Sequence, residues 1–115
     1  METYICKTVE EVAEAFSTFD FSVFALDVET NNELRQDKLQ LEAISLYDGK
    51  IGIFINCNPG TIEYVKTYFK SFIDRNKQTV VCHNITFDMR VLAKYNISLR
   101  DCEWFDTLLC FTRLC

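Results

Sequence analysis

Apolar residues recur along this chain with two periods, one helical and one alternating. Thr8-x-x-Glu11 has the form of a capping box, and Val9, Val12, Ala13, Phe16 and Phe19 follow on one stripe, which predicts a helix ending near Asp20. A short extended stretch, Thr3 to Cys6, precedes it. Phe21 to Glu29 (FSVFALDVE) is a nearly continuous apolar run rich in strand formers, the pattern of a central strand covered on both faces. After a polar loop from Thr30 to Lys38, Leu39 to Tyr47 alternates, with Leu39, Leu41, Ala43, Ser45 and Tyr47 against Gln40, Glu42, Ile44 and Leu46, and Asp48-Gly49 reads as a two-residue turn into Ile51 to Ile55. Two antiparallel partners are therefore expected beside the first strand.

Asn58-Pro59-Gly60 breaks the pattern, and Thr61 to Arg75 carries Ile62, Val65, Phe69, Phe72 and Ile73 at helical spacing, as a crossover helix would. Thr79 to Cys82 reads as a short buried strand, Asn84 as a helix N-cap, Ile85 to Tyr95 as a helix, Cys102 to Phe105 as a strand, and Thr107 onward as a helix. The order β-α-β-β-β-α-β-α-β-α predicts an α/β fold with a mixed sheet, three antiparallel strands followed by two parallel ones, and helices on both faces. The last helix, Leu108 to Cys115, is still apolar after about two turns, so the chain is expected to end in mid-structure with an apolar face left open.

Composition narrows the class. With 115 residues, 49% of them hydrophobic and 14% aromatic, the sequence supports one globular domain over residues 1–115 and excludes a disordered chain. The net charge of −5 excludes a broad positive field, so any contact with nucleic acid must be local. The six cysteines (Cys6, Cys57, Cys82, Cys102, Cys110 and Cys115) contain no CxxC pair and read as reduced, mostly buried thiols, not as disulfides or zinc ligands. The first residues lack the pattern of a signal peptide and no apolar run approaches a membrane span, which predicts a soluble intracellular protein with no membrane partner.

Three acids stand where apolar residues belong. Successive side chains of a strand point to opposite faces, so Asp27 and Glu29 share a face near the carboxyl end of the apolar run. Their repulsion is unfavourable unless cations sit between them, and hard divalent ions take oxygen ligands; alternatively the strand ends at Leu26 and both acids are solvated. On the wheel of the helix after Asn84, Asp88 falls inside the apolar arc, between the directions of Leu92 and Tyr95. It is either a partner of the strand acids or a first-turn acid that leans out to water under the helix dipole.

Ala25-Leu26-Asp27-Val28-Glu29-Thr30 and His83-Asn84-Ile85-Thr86-Phe87-Asp88, with Leu92 four residues on, resemble the first two motifs of DEDD-type 3′-5′ exonucleases, DxET and HNxxFDxxxL. Phe105-Asp106-Thr107-Leu108-Leu109 is similar to the DTL segment that follows them. Within that superfamily the chain is most similar, from about Phe21 to Cys115, to the proofreading domain of family A DNA polymerases, particularly bacteriophage ones. The resemblance implies a ribonuclease H-like fold and a site for two divalent ions, Mg²⁺ or Mn²⁺. By motif, Asp27 would bridge both ions, Glu29 would hold the one that activates water, and Asp88 would hold the other. Thr30 and Asn31 would offer backbone groups to the terminal nucleotide, Leu34, which sits off the family's register, would wedge against its base, and Asn84 would serve as N-cap, substrate contact or both. Phe87 is expected in the core, His83 in a hydrogen-bonded structural role, and Asp106 as the cap of the last helix.

The family's third motif, YxxxD or HxxxxD on a later helix, is absent, so the isolated chain is expected to be weakly active or inactive. The implied partner is a single-stranded DNA 3′ end, with the remainder of a polymerase chain or a second copy against the open apolar face. The implied location is the cytoplasm, that of the host cell if the chain is of phage origin. An RNA-processing exonuclease and a non-catalytic module that binds a 3′ end or a protein remain as alternatives.

Overall fold

The computed structural model describes residues 2–31, 33, 35, 37–73, 78–99 and 102–107. The elements run β1 (Glu2–Cys6), α1 (Val9–Thr18), β2 (Val23–Thr30), β3 (Leu41–Tyr47), β4 (Ile51–Asn56), α2 (Pro59–Ile73), β5 (Thr79–Cys82), α3 (Ile85–Lys94) and β6 (Glu103–Asp106). The six strands form one sheet in the order β1-β4-β3-β2-β5-β6. β3 lies antiparallel to both β2 and β4, while β5 runs parallel to β2, β6 parallel to β5, and β1 parallel to β4. This is the mixed sheet that the periodicity predicts.

Local chemistry explains the element ends. The capping box forms as read: Thr8 Oγ1 accepts from Glu11 N at 3.2 Å, and Glu11 Oε1 accepts from Thr8 N at 3.1 Å. Asn58-Pro59-Gly60, expected as a break, is instead the start of α2. Asn58 Oδ1 accepts from Thr61 N at 3.0 Å, and Pro59 takes the first helical position, where its missing N–H costs nothing. The turn after β3 spans three residues, because Asp48 Oδ1 accepts from both Lys50 N and Ile51 N while Gly49 supplies a φ of 100°.

β2 departs from its expected burial on both faces. Phe24, Leu26 and Val28 are buried, whereas Val23, Asp27 and Glu29 are exposed. The buried side of the sheet shares one core with Val12, Ala15 and Phe16 of α1, Val65 and Phe69 of α2, and Ile85, Val91 and Leu92 of α3. Across the strand registers, Ile5, Val23, Tyr47 and Phe105 lie on the opposite face, and they are 62%, 57%, 44% and 48% exposed. Leu108 to Cys115, the helix expected to bear on the sheet, lies outside the described residues.

An aromatic cluster binds α1 and α2 to the sheet. The Phe16 ring stands 4.8 Å from that of Tyr68, 5.2 Å from Phe21 and 6.2 Å from Phe69, while Phe21 meets Phe24 edge-on at 5.3 Å. Phe16→Ala is expected to destabilise the chain by about 3–5 kcal/mol, since the ring is fully enclosed and its neighbours cannot collapse into the gap. Urea unfolding measures this, and a loss below about 1 kcal/mol would show that the cluster is loosely packed.

Candidate active site

The parallel pairing of β2 with β5 brings their carboxyl ends to one edge. Ala25 lies beside Val81, so two residues further on Asp27 stands level with His83, at the point where the chain leaves β5 for α3. Ala25, Leu26, Asp27, Val81, Cys82, His83 and Thr107 line an open cleft of about 440 Å³ at this edge. Open α/β sheets place ligands outside the carboxyl ends of their strands.

Asp27 and Glu29 project from the same face of β2, both exposed, and the strand pairing slips by one residue between Glu29 and Thr30. Thus β2 continues past both acids and does not stop at Leu26. Asp88 lies in the first turn of α3 and is only 2% exposed, so it does not lean out to water. Its Oδ2 has no hydrogen-bond partner among the described residues. Burial, then the nearby negative charge of Asp27 and more weakly that of Asp106, push the Asp88 carboxyl up to about 7, while contact with the Cys82 thiol pulls the other way. Burial, followed by the charge of Asp88, in turn pushes the Cys82 thiol up to about 12.

The structure therefore brings Asp27 and Asp88 within electrostatic reach of each other, whereas Glu29 is not among the groups that act on Asp88. The ion pairs among the described residues, Arg35–Asp37 and Lys66–Glu63, involve none of the three acids. Among the described residues no three His, Cys, Asp or Glu side chains converge closely enough to enclose an ion as they stand.

The remaining residues singled out by sequence fall as follows. Thr30 ends β2 and is half-buried. Asn31 is committed to its loop: its N–H donates to Gln40 O, its Nδ2 donates to Lys38 O, and its Oδ1 accepts from Glu33 N and Gln40 N. Of its backbone groups, expected to meet a nucleotide, the N–H is thus occupied within the loop. Leu34 lies outside the described residues. Asn84 holds the N-cap position in a left-handed conformation (φ 72°, ψ 66°), and its exposed side chain makes no capping bond. Phe87, expected in the core, is 41% exposed. His83 Nδ1 pairs with Thr107 Oγ1 at 2.8 Å, the structural kind of contact expected of it.

Sequence reasoning missed what replaces the Asn84 cap. Asp106 receives the first N–H groups of α3, with Oδ1 accepting from Asn84 N at 2.9 Å and Oδ2 from Ile85 N at 3.0 Å. Its expected role as cap of the last helix concerns residues 108–115, outside the described residues. The available signal was the parallel strand pair: Cys82 and Asp106 end β5 and β6 side by side, which sets an acid beside the next helix start.

The mixed sheet, with acids at the carboxyl ends of β2 and β6 on either side of β5 and a buried acid on the helix that follows β5, defines an α/β fold with a polar cleft at the strand ends. The sequence profile of the 3′-5′ exonuclease family matches residues 3–115, and the chain belongs to that family. Solved structures share the fold at low identity. Trypanosoma brucei RNase D in complex with RNA U12 is 15% identical with a TM-score of 0.77, covering 96% of this chain and 39% of its own length. Escherichia coli RNase D, an exoribonuclease involved in structured RNA processing, is 22% identical with a TM-score of 0.67 over 93% of this chain and 28% of its own. The Aedes aegypti Nibbler EXO domain is 11% identical with a TM-score of 0.68 over 96% of this chain and 56% of its own. The chain thus spans between about a quarter and somewhat over half of these proteins. No curated protein gives a significant match. No described helix is long and apolar enough to cross a membrane, and of the described cysteines Cys6, Cys82 and Cys102 are buried and Cys57 is half-buried.

The raised Asp88 carboxyl sets the pH dependence of stability. In metal-free buffer the folded chain keeps a proton on Asp88 that the unfolded chain has lost between the ordinary value of 3.8 and about 7. The folded state binds more protons in that window, so stability falls as the pH rises through it and the full loss is reached above it. Asp88→Asn is expected to remove this dependence and to stabilise the metal-free chain above neutrality by on the order of 3 kcal/mol. Urea unfolding of both proteins at acid and alkaline pH tests this; parallel pH profiles would show that Asp88 titrates normally.

Proposed function

We propose that this chain carries the strand-and-helix half of a two-metal 3′-5′ exonuclease site that trims the 3′ end of single-stranded DNA, in the manner of a proofreading domain. The observation that carries the reading is the Asp88 carboxylate, buried at 2% exposure, with one oxygen unpartnered among the described residues and in the field of Asp27. A buried carboxylate without a partner is costly, and a nearby second carboxylate increases the cost, so the pair suits a hard divalent cation. Oxygen donors favour Mg²⁺ or Mn²⁺ over softer ions.

In this reading Asp27 would hold both ions, exposed Glu29 the one that activates water and Asp88 the other. When bound, such an ion pair polarises the phosphodiester and lowers the pKa of the attacking water. The residues around it position the strand. The end of β2 at Thr30 lies beside the acids, the exposed Asn84 amide stands at the mouth of α3, and the exposed Phe87 ring offers a flat apolar surface one helical turn further on. A chain of net charge −5 repels a polyanion, so attraction must come from the cations at this edge. The open apolar face of the sheet would be covered by further chain or by a second copy.

RNA is the second reading for the substrate. It is favoured by the similar solved structures, which include two RNase D proteins, one of them with RNA bound. A contact to the 2′-hydroxyl would separate the two substrates.

Calorimetric titration with Mn²⁺ is expected to show weak binding that Asp27→Ala reduces by about tenfold or more and Glu29→Ala reduces less, because only Asp27 is assigned to both ions. An unchanged affinity in Asp27→Ala would sink the assignment. None of the 115 residues supplies the family's third motif, so the chain alone is expected to shorten 5′-labelled DNA or RNA oligonucleotides at least about a hundredfold more slowly than a complete site, since members of a catalytic unit do not act independently. Rapid shortening lost in both Asp27→Ala and Asp88→Ala would mean that this chain, or a second copy, supplies the fourth ligand. Shortening confined to the RNA strand would transfer the substrate assignment to RNA.

A further inference from the structure

We infer that Asp106, with Thr107 beside it, is a positioning clasp: it fixes the start of α3 from a neighbouring strand and so sets where Asp88 stands relative to Asp27. The inference rests on the metal-site reading above for its functional meaning, though its geometry is independent of it. Asp106 is 7% exposed, and its two carboxylate oxygens receive the N–H groups of Asn84 and Ile85 at 2.9 and 3.0 Å. Thr107 Oγ1 donates to Cys82 O at 3.2 Å and pairs with His83 Nδ1 at 2.8 Å. Two consecutive residues thus grip four consecutive residues, from the end of β5 to the first turn of α3.

The grip is needed because the connection is otherwise weakly held. Asn84 adopts positive φ, a region that non-glycine residues enter at some energetic cost, and its side chain does not cap the helix. The N–H groups at a helix start need acceptors, and a carboxylate there also complements the positive end of the helix dipole. Asp106 meets both needs from 22 residues away. The Asn84 carbonyl in turn accepts from Phe87 N at 3.1 Å and Asp88 N at 3.4 Å, so the displacement of Asn84 is passed to Asp88 within one turn. With each oxygen engaged on a backbone N–H group, Asp106 acts as a positioning residue for α3.

The test uses Asp106→Ala, Asp106→Asn and, as a control for general destabilisation, Thr8→Ala at the far cap of α1. Amide hydrogen exchange at Asn84 and Ile85 and the side-chain carbon shift of Asp88 are read by NMR without metal, and Mn²⁺ affinity by calorimetry. Asp106→Ala is expected to speed exchange at both amides by about tenfold or more, to move the Asp88 shift, and to weaken Mn²⁺ binding by about 10–100-fold, as loss of an outer support of a metal ligand does. Asp106→Asn keeps one acceptor and is expected to fall between, protecting one amide of the two. Thr8→Ala should lower thermal stability while leaving Mn²⁺ affinity within about twofold. If Asp106→Ala does not fold, Asp106→Asn carries the comparison. Wild-type exchange rates and an unmoved Asp88 signal in Asp106→Asn would overturn the clasp. Absence of Mn²⁺ binding by the wild-type chain would overturn the metal-site reading instead, with the exchange and shift measurements still deciding the clasp.

Discussion

β2 has to satisfy two environments with one backbone, and the rest of the molecule is arranged around that constraint. Phe24, Leu26 and Val28 enter the core beneath the helices, and the period of two then obliges Asp27 and Glu29 to stand together on the other face. Because β2 lies between antiparallel β3 and parallel β5, its carboxyl end is flanked by the point at which the chain turns into α3. The acids are therefore not an isolated pair on an edge strand. They lie where a helix start, a strand end and a cleft meet.

The helix that answers them is held at both ends by contacts distant in sequence. At its start, Asp106 accepts from Asn84 and Ile85; at its far end, the Tyr95 hydroxyl accepts from Leu41 N at 2.9 Å and Lys94 Nζ donates to Leu39 O. Asn96, at φ 62°, stops the helix while Ile97 N returns to Leu92 O at 3.0 Å. A helix anchored in this way can carry a carboxylate into a poorly solvated position, where a freely tilting one would swing it out to water. The tension between burial and charge at Asp88 is what distinguishes this edge of the sheet from an ordinary core boundary.

Among the described residues, the sheet also has one face covered by helices and one exposed. Aromatic contacts among Phe16, Phe21, Phe24, Tyr68 and Phe69 close the core beneath it, while Ile5, Val23, Tyr47 and Phe105 leave an apolar surface on the face that bears the acids. Exposed apolar area of this kind is what the contact surface proposed above would use. Here it adjoins the candidate site, so whatever covers it also borders the acids.

Much of this was legible in the residues themselves. The Thr8–Glu11 capping box, the succession of elements along the chain and the Asp27–Glu29 spacing depend on neighbours a few positions apart, and local periodicity determines them. The apolar arc of α3 likewise singled out Asp88 before any contact was known. What periodicity could not reach is set by chain segments that meet only on folding. The burial of Asp88 beside Asp27 follows from the parallel pairing of β2 and β5; the replacement of the Asn84 cap by Asp106 follows from the pairing of β5 and β6; and the open face of β2 follows from all three described helices sharing one core. An apolar run such as FSVFALDVE records that its residues can be buried, but which side is buried is decided by the helices that arrive there. The sequence by itself determined the elements and the chemical character of their faces, whereas the partner of each charged or capping group was decided by tertiary structure, because hydrogen bonds and carboxylate fields act over a few ångström in space irrespective of distance along the chain.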